Sequence, residues 1–279
     1  GLTNLKQSEH EMAITTEDCN SVRTIIHDRY EARNAMDPAS GDLLEAALRD
    51  FDGDDSVAVA VLWGAGGVFC AGWDLKFAAE LSGQPDPLSP YDYPAEGATD
   101  AVPRGPMGPT RLQLSKPVIA AIEGPAVAGG MEIALWCDLR VMAEDAYMGV
   151  YCRRWGVPLL DGGTVRLPRL IGQGRALDLI LTGRKVTAQE CLAIGLCERV
   201  VESGGARAAA ESLAEDIARF PQACVRADRA SVYAQYGLDL EQAMRNEFDG
   251  GKTPLSQEGL AGATRFSSGR GRHGEFETI

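Results

Sequence analysis

The sequence has little histidine and no paired-cysteine spacing. Only His10, His27 and His273 occur among 279 residues. The seven cysteines stand at 19, 70, 137, 152, 191, 197 and 224, with no Cys-x-x-Cys and no histidine at ligand spacing. No metal site and no disulfide framework is expected from such a set. So few histidines also weaken a Ser-His or Cys-His nucleophile. His27 follows the β-branched stretch Thr24-Ile25-Ile26 and reads as a structural strand histidine. Basic excess is missing too: 27 Lys+Arg face 40 Asp+Glu, a formal charge of −13. A nucleic-acid partner needs clustered Lys/Arg for the phosphates, and an anionic membrane surface needs them likewise, so neither is expected. No apolar run approaches the ~20 residues that span a bilayer. The start, Gly1-Leu2-Thr3-Asn4, lacks a charged-then-apolar leader pattern, and a cytoplasmic location is expected.

What is present is ordinary globular composition, 45% hydrophobic and 24% charged, over a length that holds one large domain or two small ones. Residues 1–18 are polar and read as a loose N-terminal segment. Ser21 to His27 reads as a strand. Arg33 to Pro38 is turn chemistry, and Leu43, Leu44, Ala47, Leu48 and Phe51 follow at helical spacing. Val57 to Leu62 is a continuous apolar run that suits a strand buried on both faces. Residues 82–109 hold half of the 14 prolines and read as a flap over a site. Val118 to Ile122 and Asp138 to Met142 are two further buried strands. Between them lie a Gly-rich turn and a helix from Met131 to about Cys137. Strand, turn, helix, strand is the βαβ pattern, and its recurrence predicts an α/β core over residues 19–200. Residues 201–279 read as a helical C-terminal region.

Two Gly-containing turns end buried strands: Ala71-Gly72-Trp73-Asp74 and Ala128-Gly129-Gly130-Met131-Glu132. Glycine lets the backbone approach a ligand closely, and the second turn opens a helix whose free N–H groups carry the positive end of the dipole. One N–H from each turn would hold a carbonyl oxygen that becomes an oxyanion. Neither turn is a phosphate-binding loop, since no Gly-Lys-Ser/Thr follows and the Gly-x-Gly-x-x-Gly spacing is missing. Glu132 sits in the first turn of a helix otherwise built from Met131, Ile133, Ala134, Leu135 and Trp136. A carboxylate on so apolar a helix is costly unless paired or used, and burial raises its pKa toward a useful acid/base range. A helix-capping acid is the alternative reading.

At these residues the chain resembles the enoyl-CoA hydratase/isomerase (crotonase) superfamily, from about Ser21 to the C-terminus. The resemblance rests on Arg33-Asn34-Ala35-Met36, Phe69-Cys70-Ala71-Gly72-Trp73-Asp74-Leu75, and Lys116-Pro117-Val118-Ile119-Ala120-Ala121-Ile122-Glu123-Gly124. It continues in Gly129-Gly130-Met131-Glu132-Ile133-Ala134-Leu135, Cys137-Asp138, Gly162-Gly163-Thr164-Val165-Arg166-Leu167 and Leu181-Thr182-Gly183-Arg184. The resemblance implies a crotonase-like spiral of repeated ββα units with a helical C-terminal region that trimerises, giving a homotrimer or a dimer of trimers. It implies acyl-CoA thioester chemistry of the kind used in fatty acid metabolism, with coenzyme A as part of the substrate and no tightly bound cofactor. The oxyanion hole carries over to the N–H groups of Trp73 and Gly129, substrate contacts to Ala32, Ala71, Trp73, Asp74, Leu75 and Gly129, and a catalytic role to Glu132.

One departure stands out. Hydratases carry a second glutamate that, counted back from Gly162-Gly163-Thr164, falls on Cys152. A thiol is a weaker acid than a carboxyl, with a reference pKa of about 8.5, and a weak hydrogen-bond partner. Efficient hydration is therefore not expected, and Asp161 is the alternative acid, with an N-cap of the next helix as its other reading. Arg153 and Arg154 read as contacts either to coenzyme A phosphates or to a neighbouring subunit. The expected activity is that of an acyl-CoA lyase or isomerase. A thioester or C–C hydrolase of the same fold, or a non-catalytic acyl-CoA-binding member, are the competing readings.

Overall fold

A computed structural model of the chain describes residues 13–277. Its first sheet has six strands in the order β1-β2-β3-β4-β6-β9. These are β1 (Ile14–Cys19), β2 (Val22–His27), β3 (Val59–Gly64), β4 (Val118–Ile122), β6 (Leu139–Ala143) and β9 (Arg199–Val201). All neighbours are parallel except β1 and β2, which pair antiparallel. The N-terminal segment expected to be loose up to residue 18 is therefore strand from Ile14 onward; residues 1–12 of it lie outside the described residues. The polar, exposed sequence Thr15-Thr16-Glu17-Asp18 hid this strand, because an edge strand needs hydrogen bonds on one side only and little apolar surface.

Alternation explains the apolar runs. Ala60, Leu62, Val118, Ala120 and Ile122 point into one hydrophobic cluster, while Val59, Val61, Ile119, Ala121 and Val141 point into a second on the other face. The first cluster joins the sheet to helix α1 (Pro38–Gly53) and to the site; the second is closed by Ala210 and Ala214 of helix α7 (Ala206–Ala218). Asp37 caps α1 by accepting from the Ser40 N–H at 2.9 Å, and Pro38 starts it.

A second, shorter layer follows from the first. Strands β5 (Pro125–Val127), β7 (Tyr147–Gly149) and β8 (Val186–Thr187) form a three-stranded sheet. Single bridges extend it, Cys70 to Ala126 and Met36 to Trp73. Each of β2, β3 and β4 thus feeds one short second-layer segment and then a helix: α1, α2 (Leu75–Glu80) and α3 (Gly129–Trp136). This is a crotonase-type repeat of ββα units. Helices α4 (Gly163–Ile171), α5 (Gln173–Thr182) and α6 (Ala188–Ile194) precede β9, and α7, α8 (Gln222–Ala234), α9 (Leu240–Pro254) and α10 (Leu260–Ser267) complete the helical C-terminal region. Among the described residues no helix is long and apolar enough to cross a membrane.

Candidate active site

The two Gly turns meet at one cavity. Gly72 has φ +102°, and a Cβ added there would lie 2.9 Å from the Ala128 Cβ and 3.1 Å from the Gly129 nitrogen. Only glycine lets the turns approach so closely. The surrounding amides are occupied: Ala71 N–H donates to Arg33 O at 3.1 Å, Asp74 N–H to Met36 O at 2.9 Å, and Ala128 N–H to Gly149 O at 2.8 Å. The Trp73 and Gly129 N–H groups have no acceptor among the described residues, and both residues line the same cavity as Glu132. Ala128, at φ 53° and ψ −125°, precedes the helix in a conformation that costs a non-glycine residue about 1–3 kcal/mol. That strain presents the Gly129 N–H at the start of α3.

Glu132 is 3% exposed on a helix whose residues 129–135 are all buried. Its Oε1 accepts the Asp161 N–H at 3.0 Å and the Gly163 N–H at 2.9 Å. A Cβ on Gly163 would meet that Oε1 at 3.0 Å, so the contact uses the missing side chain. Burial, and then the Asp161 charge, push the Glu132 carboxyl up to about 7, against the two amide bonds and Arg166, which favour the anion. Glu132 does not cap α3, because the start of that helix has no side-chain cap.

Asp161 is also not a cap. Gly162 holds the N-cap position of α4, and the Asp161 side chain turns inward, 5% exposed. Its Oδ1 accepts the Met107 N–H at 3.1 Å and the Thr110 hydroxyl. Burial raises its pKa, opposed by those bonds and by Arg111 and Arg166. Cys152 is buried and lines the cavity, its thiol pushed up by burial and by the Glu132 charge. Both carboxyls and the thiol thus border one space, with Asp161 bonded through its own amide to Glu132.

The remaining lining is apolar: Ala71, Trp73, Leu75, Leu88, Pro106, Met107, Ala128, Val157, Pro158 and Leu160, with Tyr151 and Trp155. Leu88, Pro106 and Met107 come from the proline-rich stretch 82–109, which therefore borders the site as a flap. Ala32 and Asp74 are not in the lining. Ala32 ends a short 3₁₀ turn, and Asp74 caps α2 through the Lys76 and Phe77 N–H groups and pairs with Arg29 at 2.9 Å. Arg153 donates to Ile180 O, and Arg154 lies over the Tyr151 ring. Thr110 was not legible as a site residue, because nothing in a proline-rich loop marks one hydroxyl as the partner of an acid fifty-one residues later. Among the described residues no group of His, Cys, Asp and Glu is placed to hold a metal ion.

Two amides without acceptors and a carboxyl pushed up to about 7, in an apolar cavity, are an arrangement able to polarise a carbonyl and move a proton. The chain matches the family described as enoyl-CoA hydratase/isomerase over residues 17–270, and it belongs to that family. It is 34% identical over 250 residues to an enoyl-CoA hydratase of Mycobacterium tuberculosis, covering 87% of this chain and 88% of that one. It is 37% identical over 237 residues to the (E)-benzylidenesuccinyl-CoA hydratase of Thauera aromatica, covering 84% and 87%. A crystal structure of an enoyl-CoA hydratase from Mycobacterium tuberculosis superposes with a TM-score of 0.81 at 32% identity, over 92% of this chain and 96% of that one.

Proposed function

We propose that the protein is an acyl-CoA enzyme that forms a thioester enolate, with the thioester oxygen held by the Trp73 and Gly129 N–H groups and Glu132 carrying the proton. The observation that carries this reading is the pair of amides without acceptors on the cavity that also holds Glu132. In the ionised form Glu132 takes a proton from C2. The C–H electron pair moves into the C2–C1 bond, and charge collects on the thioester oxygen, where two N–H donors stabilise it. In the protonated form the same carboxyl returns the proton at C2 or, for a dienolate, at C4. A carboxyl that titrates near 7 populates both forms at neutral pH.

Cys152 favours isomerisation over hydration. Water attack at C3 needs a second group that accepts its proton, and a buried thiol accepts poorly. Asp161, which lines the same cavity, is assigned as its second acid, displaced from the position that Cys152 holds. Substrate contacts are assigned to Ala71, Trp73, Leu75 and Gly129, which line the cavity, and not to Ala32 or Asp74, which lie outside it. No tightly bound cofactor enters this scheme, since coenzyme A arrives with the substrate. We also assign a homotrimer or dimer of trimers, built through the C-terminal helices, and a cytoplasmic location.

The test is a panel of 2-enoyl-, 3-enoyl-, dienoyl- and 3-hydroxyacyl-CoA substrates, with products identified by mass spectrometry in H2O and in D2O. Isomerisation with deuterium uptake, well above hydration of crotonyl-CoA, is expected. Fast hydration that survives Asp161→Asn would remove the assignment of Asp161 and Cys152. Faster hydration in Cys152→Glu would support it.

A further inference from the structure

Arg166 stands outside the cavity lining, in the first turn of α4, yet it touches both loops that shape the carboxyl pair. Its Nη1 donates to the Asp161 carbonyl at 3.1 Å and its Nη2 to the Thr110 carbonyl at 2.8 Å. Two separate nitrogens of one rigid, planar fork take the two carbonyls, a fixed spacing that the single nitrogen of a lysine does not reproduce. Gly162 makes room for it: at φ +93°, a Cβ there would lie 2.3 Å from Nη1. The same two segments are joined below the guanidinium by the Asp161 Oδ1 bonds to the Met107 N–H and the Thr110 hydroxyl. Gly105 leaves space for that junction, since a Cβ on it would meet Thr110 Oγ1 at 2.3 Å and Asp161 Oδ1 at 2.5 Å.

We propose that Arg166 is a positioning residue: it locks the flap end, residues 105–111, onto the Asp161-Gly162-Gly163 loop and so fixes Glu132 and Asp161 relative to each other. The inference rests on the proton-carrying role proposed above for Glu132. The path is short. The Asp161 and Gly163 N–H groups that hold Glu132 Oε1 belong to the loop that Arg166 grips from its other side. The charges around these groups are few. Asp161, Arg166 and Cys152 face Glu132; Arg111 and Arg166 face Asp161; Glu132, Asp161, Cys137 and Tyr233 face Arg166. Arg166 is therefore the nearby cation shared by both carboxyls, and it favours the ionised form of each.

The 279-residue chain carries the test, as Arg166→Met and Arg166→Lys. The difference in urea-unfolding free energy between each protein and the same protein carrying Glu132→Gln, from pH 5 to 8, needs no substrate and reads the midpoint at which Glu132 loses its proton in the folded state, with the buried His27 common to both. Deuterium exchange at C2 of an acyl-CoA reads the rate. In Arg166→Met the midpoint is expected to move upward and kcat to fall roughly 10-fold or more, with KM within about twofold. Arg166→Lys is expected to restore the midpoint, through its charge, but not kcat, because one flexible nitrogen does not hold the two carbonyls at the spacing of the planar fork. An unmoved midpoint with kcat within about twofold of the parent in Arg166→Met would overturn the proposal, as would a loss carried by KM alone. So would an Arg166→Lys protein equal to the parent in both readouts if Arg166→Met fails to fold. If the parent exchanges no C2 proton on any acyl-CoA, the enzymatic reading fails while the midpoint still decides what Arg166 does.

Discussion

At the scale of residues, the chemistry turns on one carboxyl held in an uncomfortable place. Glu132 has an ordinary pKa of 4.5 and reaches about 7 in the folded protein, chiefly because burial disfavours its charge. The sign of the consequence follows from linkage. A carboxyl with a raised folded-state pKa binds its proton more tightly in the folded chain than in the unfolded one. Its contribution to stability is full below pH 4.5 and is lost as pH rises through 7. The shift corresponds to about 3 kcal/mol at alkaline pH. Glu132→Gln keeps an oxygen for the Asp161 and Gly163 amides and carries no charge. It should match the parent in stability near pH 4.5 and exceed it by a few kcal/mol near pH 8, measured by urea unfolding across that range. Equal stability of the two proteins at both ends would show that Glu132 is not desolvated.

At the scale of elements, Arg140 holds the helix that carries Glu132. It is 2% exposed and follows the end of α3, where its guanidinium donates to the Ala134 and Cys137 carbonyls at 3.1 and 2.8 Å. It also reaches Leu196 O at 3.0 Å and Glu198 at 2.8 Å, tying β6 to the segment before β9. Arg140→Leu leaves three buried carbonyls without a donor. It should lower the unfolding free energy by about 3 kcal/mol, read in urea. A change under about 1 kcal/mol would mean that α3 needs no such clamp. The elements themselves were unequally legible. The apolar runs of β3 and β4 announce parallel strands, because burial on both faces leaves no polar position, while β2 and β6 keep shorter apolar stretches beside Arg23, Thr24, His27 and Arg140. The second layer is not legible, since strands of two or three residues carry no periodicity and earn their place only by pairing. The ββα repeat therefore shows in topology and in the family resemblance rather than as sequence self-similarity. Glu132 and the Gly turns stood out because each breaks a local rule, a charge on an apolar helix and glycine at a strand end. Arg166 stands unmarked within Gly162-Gly163-Thr164-Val165-Arg166-Leu167, as its partners are backbone carbonyls, which no sequence pattern marks.

At the scale of the whole molecule, the C-terminal helices leave large apolar side chains in solvent. Leu240, Met244 and Phe248 on α9 are 76%, 59% and 69% exposed, and Leu260 and Phe266 on α10 are 61% and 58% exposed. A monomer rarely keeps such a patch uncovered. With 29.8 kDa per chain, light scattering should give three or six times that mass, and Phe248→Glu should shift it toward the single chain. A monomeric parent protein would contradict the assembly proposed here. The proposed function itself turns on one step, formation of an enolate from an acyl-CoA thioester in the cavity. Exchange of the C2 proton for deuterium, followed by mass spectrometry in D2O, measures that step without requiring the final product to be known. The account predicts steady deuterium uptake at C2 by the parent protein, slowed roughly 100-fold or more in Glu132→Gln with acyl-CoA binding retained. Uptake at equal rates in both proteins, or none in the parent across the acyl-CoA panel, would contradict it.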